Sequence, residues 1–511
     1  MTAPNVLLII LDTQRRDRLS VYGHQRDTSP ALADFAARAT VFERAISPAQ
    51  WTVPAHASLF TGLYPSTHGL TQANGRLTDD LPTLAEILRR NNYHTVGFCN
   101  NPLVGVLDNG LQRGFNEFYN YAGAAPNRPV DIARSRARRA VAMRWRRFAH
   151  RVSQRFAHSD ALFRLSLTPA LVEIWTRLIN YKGNTARSID DLIAYWEHYS
   201  AGGQERPLFA FLNLMGTHLP YRPPQAYIDK INPKLKHDKH AYRFMARFNA
   251  DAARWASPTD PPLTEWERAV LDDFYDAEIA HQDYHVGRLL DYLKRSGALE
   301  NTLVLIAADH GEGHGDHGFV GHSFVVYQEL VHVPLIAYHP DRFPDGHTVE
   351  TNISTRRLFH TVLDITGVPA PTTRGDVHTL SLAHTATTDE TDSEGGVAFA
   401  EAIPPKTFLS VLEYRNPTLI ERLALTQVRR GVYDGEHKLA MVGGQVEGLF
   451  DVSHDPQEVR DMSHEQPSTV AALQQKLQTF VATAESQRAV VGELTVSQEV
   501  EDNLRALGYF E

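Results

Sequence analysis

The chain has 511 residues, and its 60 acidic and 51 basic side chains give a formal charge of -9. The length allows one large domain with a smaller companion, and the acidic balance argues against a general nucleic-acid-binding protein, so we expect no nucleic acid partner. A single cysteine, Cys99, excludes an intrachain disulfide framework and any metal site built on several cysteines. We find no run of the ~18 apolar residues that a transmembrane segment needs and no basic leader, and we therefore expect a cytoplasmic enzyme.

Predicted strands and helices alternate along the first two thirds of the chain. In chain order they are a strand at 5–11, helices at 30–45 and 81–91, strands at 95–99 and 208–212, a helix at 267–296, and strands at 303–308 and 333–338. Strands that are apolar throughout are typical of a parallel sheet that helices cover on both faces. The order therefore predicts an α/β fold with a central, mostly parallel sheet flanked by helices.

Polar residues follow four of the predicted strands. They are Asp12 after the first strand, Asn100 and Asn101 after the second, the segment that leads to His218 after the third, and Asp309 and His310 after the fourth. In open α/β sheets, ligands bind outside the carboxyl ends of the strands. The four strand ends therefore predict one shared site.

The stretch from Trp51 to Gly62 predicts a helix whose N-terminus carries Thr52. Pro54 suits a first helical turn because it needs no amide hydrogen there, and Gly62 suits the end of a helix. Unpaired amides and the helix dipole at that N-terminus favour an anion, which makes Thr52 a candidate reactive centre. A helix that is simply capped by threonine explains the same residues equally well.

Two insertions of different composition interrupt the predicted α/β pattern. The first, at about 125–200, contains a segment from Arg134 to Arg155 in which nine arginines accompany an apolar stripe at helical spacing. Such a helix could contact an anionic surface or substrate, or it could pack its stripe on the domain and expose its arginines. The second insertion, at about 227–264, is polar.

Composition changes again after residue 380. Residues 381–396 are polar and acidic, and they predict a flexible loop between a catalytic domain over 1–380 and a small α+β subdomain over 397–511. The subdomain is predicted from strand-like pieces at 397–400, 424–433 and 438–442 and from a helix at 468–484.

The residues after the first and fourth strands suit a metal site. Hard divalent cations prefer oxygen ligands and accept imidazole, so one Ca²⁺, Mg²⁺ or Mn²⁺ ion is expected, with Zn²⁺ as a further candidate. A metal ion on the Thr52 hydroxyl would lower the pKa of that hydroxyl and make it a competent nucleophile. The predicted ligands are Asp12, Asp309, His310 and the hydroxyl of Thr52.

Three further histidines, His56, His218 and His322, flank the predicted site in separate segments. Histidine can hold an anion or protonate a leaving oxygen near neutral pH, and we predict one of these roles for each of the three, although a lone histidine is more often structural. The remaining polar residues of the histidine- and glycine-rich stretch 309–318 are expected to shape the loop or to support the side chains that contact metal and substrate, and not to make those contacts themselves. They are Glu312, His314, Asp316 and His317.

An ordered set of motifs covers the chain nearly end to end, apart from the insertions and the acidic loop. It consists of residues 5–13, Tyr22-Gly23, 52–62, His218-Leu219-Pro220-Tyr221, 275–293, Asp309-His310-Gly311, 318–336, Leu449-Phe450-Asp451, Asp455-Pro456-Gln457-Glu458 and Leu507-Gly508-Tyr509. The set resembles the sulfatase family of the alkaline phosphatase superfamily. The resemblance implies that family's α/β fold with a smaller C-terminal α+β subdomain, and an ester hydrolase whose divalent metal is bound by Asp12, Asp309 and His310.

The resemblance also assigns positions to the other candidates. It places Thr52 at the position of the family nucleophile and His218 at that of a substrate-contacting histidine. His56 and His322 fall where many members carry an arginine and a lysine, respectively. Asn100 lies near another substrate-contacting position.

The metal ligands differ from those of some relatives. Thr13 takes the place of a second aspartate that many sulfatases carry, so a metal role for Thr13 is not expected. Residues 213–218 contain no carboxylate, although two-metal phosphodiesterases of the superfamily carry extra ligands in this stretch. The resemblance therefore implies a single metal ion.

Threonine at position 52 bears on the chemistry that the resemblance implies. Sulfatases of the usual type carry Cys or Ser there, which becomes formylglycine, and the hydrate of that residue attacks sulfur and then expels sulfate through its second hydroxyl. Threonine cannot be converted in this way, whereas it serves as nucleophile in related phosphodiesterases and in phosphoglycerol or phosphoethanolamine transferases. A phosphate ester is therefore favoured over a sulfate ester.

We therefore expect a metal-dependent hydrolase of sulfate or phosphate esters that forms a covalent intermediate on Thr52. Its substrate would be an ester of a small molecule, a glycan or a lipid. Two alternatives stay open: transfer of a phospho group to an alcohol acceptor, and a catalytically silent protein that binds sulfated or phosphorylated glycans.

Overall fold

The computed structural model describes residues 3–121, 182–203, 205–250, 258, 261–388, 390 and 392–494. The strands are β1 (Asn5–Leu11), β2 (Thr40–Phe42), β3 (Ala45–Ile46), β4 (Gly75–Arg76), β5 (His94–Cys99), β6 (Glu117–Asn120), β7 (Leu208–Leu214), β8 (Thr302–Ala307), β9 (Gly313–His314), β10 (Val320–Gly321), β11 (His332–Val333), β12 (Leu335–Tyr338), β13 (His347–Val349), β14 (Ile353–Ser354), β15 (Val397–Ala402), β16 (Arg429–Asp434), β17 (His437–Val442), β18 (Gln445–Asp451) and β19 (Gly492–Glu493). The helices are α1 (Pro30–Ala36), α2 (Thr52–Thr61), α3 (Pro65–His68), α4 (Leu84–Arg90), α5 (Pro102–Gly105), α6 (Thr185–Ala201), α7 (Gln225–Ile231), α8 (Lys239–Ala250), α9 (Glu265–Arg295), α10 (Gln328–Val331), α11 (Arg357–Thr366), α12 (Leu382–Thr387), α13 (Lys406–Arg415), α14 (Pro417–Arg422) and α15 (Pro467–Ser486).

Within the described residues, β1 lies in the middle of an eight-stranded sheet with the order β13-β2-β12-β8-β1-β7-β5-β6. β1 pairs in parallel with β7 and β8, and β5 pairs in parallel with β7 and β6. Only β12 among these strands runs antiparallel to its neighbours, β8 and β2. The predicted central, mostly parallel sheet is therefore confirmed, and the carboxyl ends of β1, β5, β7 and β8 lie at one edge.

Helices cover both faces of the sheet because the side chains of β1 alternate between two hydrophobic cores. Leu8 and Ile10 belong to the core that includes α2, α4 and α11. Leu7 and Ile9 belong to the core on the other face, with α1, α6 and α9. Burial on both faces explains why no polar residue interrupts β1.

The prediction of one helix over 30–45 is wrong in its second half. Helix α1 ends at Ala36, and the chain then forms the short strands β2 and β3. In β2, Val41 pairs with Ile336 of β12. β-branched and aromatic residues favour strands, and this pairing with a distant part of the chain outweighs the helical spacing of the apolar residues.

The C-terminal part of the described chain forms an antiparallel sheet in the order β15-β16-β17-β18. Helix α15 packs against it, with Leu473 in one core with Val432 and Leu439. The predicted strands at 397–400 and 438–442 and the helix at 468–484 are present, whereas β18 was not predicted. β16 begins only at Arg429, because the chain makes a turn at Ala424, which has a positive φ of 47°.

The prediction of a flexible acidic loop over 381–396 is wrong in its first part. Its first part forms helix α12, and Leu382 packs into a core of the large sheet. Asp392 accepts a hydrogen bond over 2.6 Å from the guanidinium of Arg357, which is fully buried. A buried guanidinium needs a carboxylate partner, and the acidic segment supplies one.

The predicted basic helix from Arg134 to Arg155 and the motif at 507–509 lie outside the described residues. The described part of the first insertion contains α6, and the described part of the second contains α8 and most of α7. No helix in the described ranges is long and apolar enough to cross a membrane.

Candidate active site

The structure brings four of the predicted residues together at the carboxyl edge of the large sheet. Asp12 directly follows β1, Asp309 and His310 follow β8, and Thr52 is the first residue of α2 rather than the residue before it. Oγ1 of Thr52 lies 3.3 Å from Nε2 of His310. All four side chains are buried.

The two aspartates each have an oxygen without a hydrogen-bond partner, Oδ1 of Asp12 and Oδ2 of Asp309, within the described part of the chain. Ligand atoms of Asp12, Asp309 and His310 lie within 4.8 Å of one another. Burial, and for Asp12 also the charge of Asp309, raises the pKa of both carboxyl groups to about 7. Two adjacent buried carboxylates lack a counter-charge, and a divalent cation would supply it, so these three residues fit one such ion.

Nε2 of His310 faces Thr52 because the other ring nitrogen is hydrogen-bonded to the backbone. Nδ1 donates to the carbonyl oxygen of Gly311 over 2.9 Å, which leaves Nε2 as the unprotonated nitrogen. Burial and the neighbouring His322 lower the pKa of His310 to about 4. Only glycine fits at position 311, since a Cβ there would come within 1.9 Å of the carbonyl oxygen of Glu329.

Asn101 contacts the centre of the site, although the prediction named Asn100. Nδ2 of Asn101 lies 2.7 Å from Oδ2 of Asp12 and 3.3 Å from Oγ1 of Thr52. Asn100 instead accepts a hydrogen bond from the hydroxyl of Ser188 over 2.6 Å. Neighbouring side chains leave a strand on opposite sides, but nothing in the sequence indicates which of the two asparagines faces β1.

His56 holds the first turn of α2. Its Nδ1 donates to the carbonyl oxygen of Thr52 over 3.0 Å, and its Nε2 accepts from Nδ2 of Asn213 over 3.3 Å. Burial lowers the pKa of His56 to about 3, so the ring is neutral. Both ring nitrogens are thus hydrogen-bonded inside the protein. His56 was predicted to hold the substrate anion, but it has no free nitrogen with which to do so.

His218 and His322 lie side by side next to His310. The ring centroids are 5.1 Å apart between His218 and His322, and 4.5 Å apart between His322 and His310. Nδ1 of His322 lies 2.7 Å from Oε1 of Glu312, which is fully buried. Burial raises the pKa of Glu312 to about 8 and lowers that of His322 to about 4. A protonated Glu312 donates to Nδ1, and the ring hydrogen of His322 is then on Nε2.

Glu312 was predicted either to shape its loop or to support a residue of the site, and the sequence did not indicate that its partner is His322. The other polar side chains of the stretch hold the loop to neighbouring elements. His314 contacts Asp272 of α9 over 2.8 Å between Nδ1 and Oδ1, and Asp316 accepts from the guanidinium of Arg15 over 2.8 Å.

The chain has an α/β fold of the alkaline phosphatase and sulfatase type, and the family that it matches is one of ester hydrolases. The chain belongs to the sulfatase family, which it matches over residues 4–368. Arylsulfatase K of Bos taurus is 23% identical over 499 residues, which cover 94% of this chain and 82% of that protein.

Two solved structures have the same fold. The phosphonate monoester hydrolase of Agrobacterium radiobacter superimposes with a TM-score of 0.67 at 21% identity, over 94% of this chain and 96% of that one. A protein solved in complex with its substrate D-glucosamine-2-N,6-O-disulfate superimposes with a TM-score of 0.65 at 16% identity, over 95% of this chain and 99% of that one.

Proposed function

We propose that the chain is a metal-dependent hydrolase that cleaves phosphate esters through a covalent intermediate on Thr52. The observation that supports this proposal is the set of polar groups around the Thr52 hydroxyl. Oγ1 lies 3.3 Å from both Nε2 of His310 and Nδ2 of Asn101, beside the unpartnered oxygens of Asp12 and Asp309. Among the described residues no side chain caps the N-terminus of α2, which begins at Thr52, and the positive end of a helix favours an anion.

Asp12, Asp309 and His310 would hold one divalent ion. When bound, such an ion lowers the pKa of a neighbouring hydroxyl and neutralises charge on the substrate anion. Asn101 orients the site, because its amide donates to the carboxylate of Asp12 and to the hydroxyl of Thr52 at once. His56 fixes the backbone of Thr52 from the other side.

In the first step, Oγ1 of Thr52 gives its hydroxyl proton to a solvent water and attacks phosphorus, and the bond between phosphorus and the ester oxygen breaks. The departing alkoxide takes the proton from Nε2 of His322 while Nδ1 takes the carboxyl proton of Glu312, so the ring stays neutral, and Glu312 regains a proton from solvent before the next turnover. In the second step, water attacks phosphorus, the bond to Thr52 breaks, and inorganic phosphate and the free Thr52 hydroxyl result. We assign His218, beside His322, a contact with the substrate.

Phosphorus is favoured over sulfur because Thr52 has one hydroxyl. A sulfated threonine has no second hydroxyl on the same carbon to expel sulfate, whereas water or an alcohol can attack the phosphorus of a phosphothreonine. Relatives support both groups, since they include an arylsulfatase and a phosphonate monoester hydrolase. The substrate class that we propose is an ester of a small molecule, a glycan or a lipid.

The test is a screen of an aryl sulfate, a phosphate monoester, a phosphodiester and a phosphonate monoester, each with Mn²⁺, Mg²⁺, Ca²⁺ and Zn²⁺. We expect turnover of a phosphorus ester and a phosphorylated Thr52 peptide after an acid quench. Thr52→Ala should abolish turnover and Thr52→Ser should retain part of it. Thr61→Ala, at the other end of the same helix, is the control.

Three results would change the proposal. An active Thr52→Ala variant would show that Thr52 is not the nucleophile. A phosphorylated alcohol in place of inorganic phosphate, formed when glycerol is added, would indicate a transferase. Binding of sulfated or phosphorylated glycans without turnover of any ester would indicate a catalytically silent binding protein.

A further inference from the structure

The geometry points to Lys182 as a residue that positions His218, an inference that rests on the proposed function. Nζ of Lys182 donates to the carbonyl oxygen of Gly216 over 2.8 Å and to that of Pro220 over 3.0 Å. These carbonyls lie two residues before and two residues after His218. Lys182 therefore ties together both ends of the short loop that carries this histidine.

The third hydrogen of the ammonium group goes to Oε1 of Glu278, 3.1 Å away on α9. An ammonium group has three donors, and all three are used inside the protein. Lys182 is 13% exposed in its side chain and Glu278 6%. The lysine therefore has no donor left for a substrate anion, and its contribution is to hold the loop.

Helix α9 holds the same loop through the backbone amides. Oε1 of Glu278 accepts from the amide of Arg222 over 2.7 Å, and Oε1 of Gln282 accepts from the amide of Gly216 over 2.9 Å. Glu278 and Gln282 are four residues apart and so lie on one face of the helix. A Cβ at position 216 would come within 2.6 Å of Oε1 of Gln282, so a larger residue there would displace this oxygen from its hydrogen bond.

The contacts of Lys182, Glu278 and Gln282 with the loop set the orientation of the His218 ring in the site. Nδ1 of His218 donates to the carbonyl oxygen of Leu219 over 2.5 Å, which leaves Nε2 as an acceptor nitrogen for a hydrogen-bond donor of the substrate. The ring of His322 lies edge to face with that of His218, at 69° between planes. A shift of the loop would therefore change both the direction of Nε2 and the packing of the proposed proton donor.

Lys182 lies in the described part of the first insertion, three residues before α6. The next residue, Gly183, packs against the side chain of Asn100, and Ser188 of α6 donates to Oδ1 of Asn100. One segment thus contacts the residues that follow β5 and β7. This arrangement connects the insertion to the carboxyl edge of the sheet, where the candidate active site lies.

Lys182→Met in the full, metal-loaded chain tests the inference, with the best ester from the screen as substrate. Misplacement of a positioned group can lower a rate on the order of 10²-fold, and we expect kcat to fall by about 10–100-fold with little change in KM. If Lys182 acts through His218, the double variant with His218→Ala will be no slower than His218→Ala alone. Lys230→Met, an exposed lysine near Asp27, is the control. The inference would be overturned if kcat of the double variant falls by the product of the two single losses, or if kcat of Lys182→Met is unchanged.

Amide hydrogen exchange gives a second measurement that needs no turnover. Peptides covering 214–221 should exchange faster in Lys182→Met, while peptides from β1 and β8 should be unchanged. If Lys182→Met does not fold, Glu278→Gln keeps the side-chain volume, removes the charge partner of the lysine and should give the same exchange pattern. If the amides of 214–221 exchange at the wild-type rate in the folded variant, Lys182 does not hold the loop and the inference is wrong. Absence of turnover on every ester would reject the proposed function alone.

Discussion

Nδ2 of Asn101 lies 2.7 Å from Oδ2 of Asp12, so an amide beyond the end of β5 fixes a carboxylate beyond the end of β1. The same amide reaches the hydroxyl of Thr52. Side chains that orient metal ligands usually contribute about 10–100-fold to activity or metal affinity. We therefore expect Asn101→Ala to lower kcat/KM by about that factor and to weaken metal binding, as measured by steady-state kinetics and by metal titration calorimetry.

Asn100→Ala is the matched control for this prediction. Asn100 contacts Ser188 and makes no hydrogen bond to Asp12 or Thr52. We expect this variant to retain its metal affinity. A large loss of metal affinity in Asn100→Ala with none in Asn101→Ala would show that the two asparagines have the opposite roles.

The parts of the site that the sequence predicts are those that follow a strand or begin a helix. Asp12, Asp309 and His310 directly follow apolar strands, and the carboxyl ends of parallel strands meet at one edge, so their proximity follows from the topology. Glu312 and Lys182 could not be found in this way. Their roles depend on which distant side chain or carbonyl each one meets, and no spacing along the chain encodes this.

The same distinction applies to the fold. Uninterrupted apolar runs predict β1, β7 and β8 because these strands are buried on both faces and need no polar residue. Residues 40–42 were predicted as helix, since their strand character depends on pairing with β12 and β13. Similarly, the composition of 381–396 predicts a loop, because the sequence does not reveal that buried Arg357 requires Asp392.

Glu312 should matter most for poor leaving groups. It holds Nδ1 of His322 over 2.7 Å and thereby directs Nε2 to the departing oxygen. Glu312→Gln keeps the shape but removes the exchangeable carboxyl proton, and we expect kcat for alkyl phosphates to fall by about 10²-fold or more, within the range of general-acid catalysis. The loss should nearly vanish for p-nitrophenyl phosphate, because nitrophenolate leaves without a proton.

The measurement is kcat for a series of phosphate monoesters that differ in the pKa of the leaving alcohol. Asp316→Asn is the control, because Asp316 lies in the same loop but contacts Arg15. An equal loss of kcat across the whole series in Glu312→Gln would mean that Glu312 supports the fold of the site and not proton transfer.

Removal of the divalent ion should abolish turnover and lower the thermal stability together. A ligand that binds only the folded state adds about 2.7 kcal/mol when present at about one hundred times its Kd. We expect the melting temperature after chelation to rise again with added metal, and Asp309→Asn to lose this dependence. Differential scanning calorimetry over a metal titration measures both.

Asp451→Asn is the control for the metal prediction. Asp451 belongs to an exposed cluster with Glu436 and His454, which offers ligand atoms at similar spacing. This cluster lies in the C-terminal sheet and has no contact with Thr52. If Asp451→Asn loses the metal dependence while Asp309→Asn keeps it, the stabilising ion binds at the C-terminal sheet.

Acid should weaken the link between α9 and the loop after β8. Oδ1 of Asp272 contacts Nδ1 of His314 over 2.8 Å. Burial alone would raise the pKa of Asp272, but the hydrogen bond and charge of His314, with the charges of Arg18 and Arg15, outweigh it and lower the pKa from 3.8 to about 2. A shift of this size corresponds to ~2 kcal/mol of folding stability.

Because the folded pKa of Asp272 is lower than the unfolded one, its contribution is fully present above the unfolded value and is lost as the pH falls through the folded value. We therefore expect the difference in unfolding free energy between the wild type and Asp272→Asn to be ~2 kcal/mol at neutral pH and to shrink between about pH 4 and pH 2. Urea unfolding at several pH values measures it. Asp291→Asn, exposed on the same helix, should match the wild type throughout. A difference for Asp272→Asn that stays constant down to about pH 2 would mean that the carboxylate of Asp272 is not stabilised by His314 and the arginines.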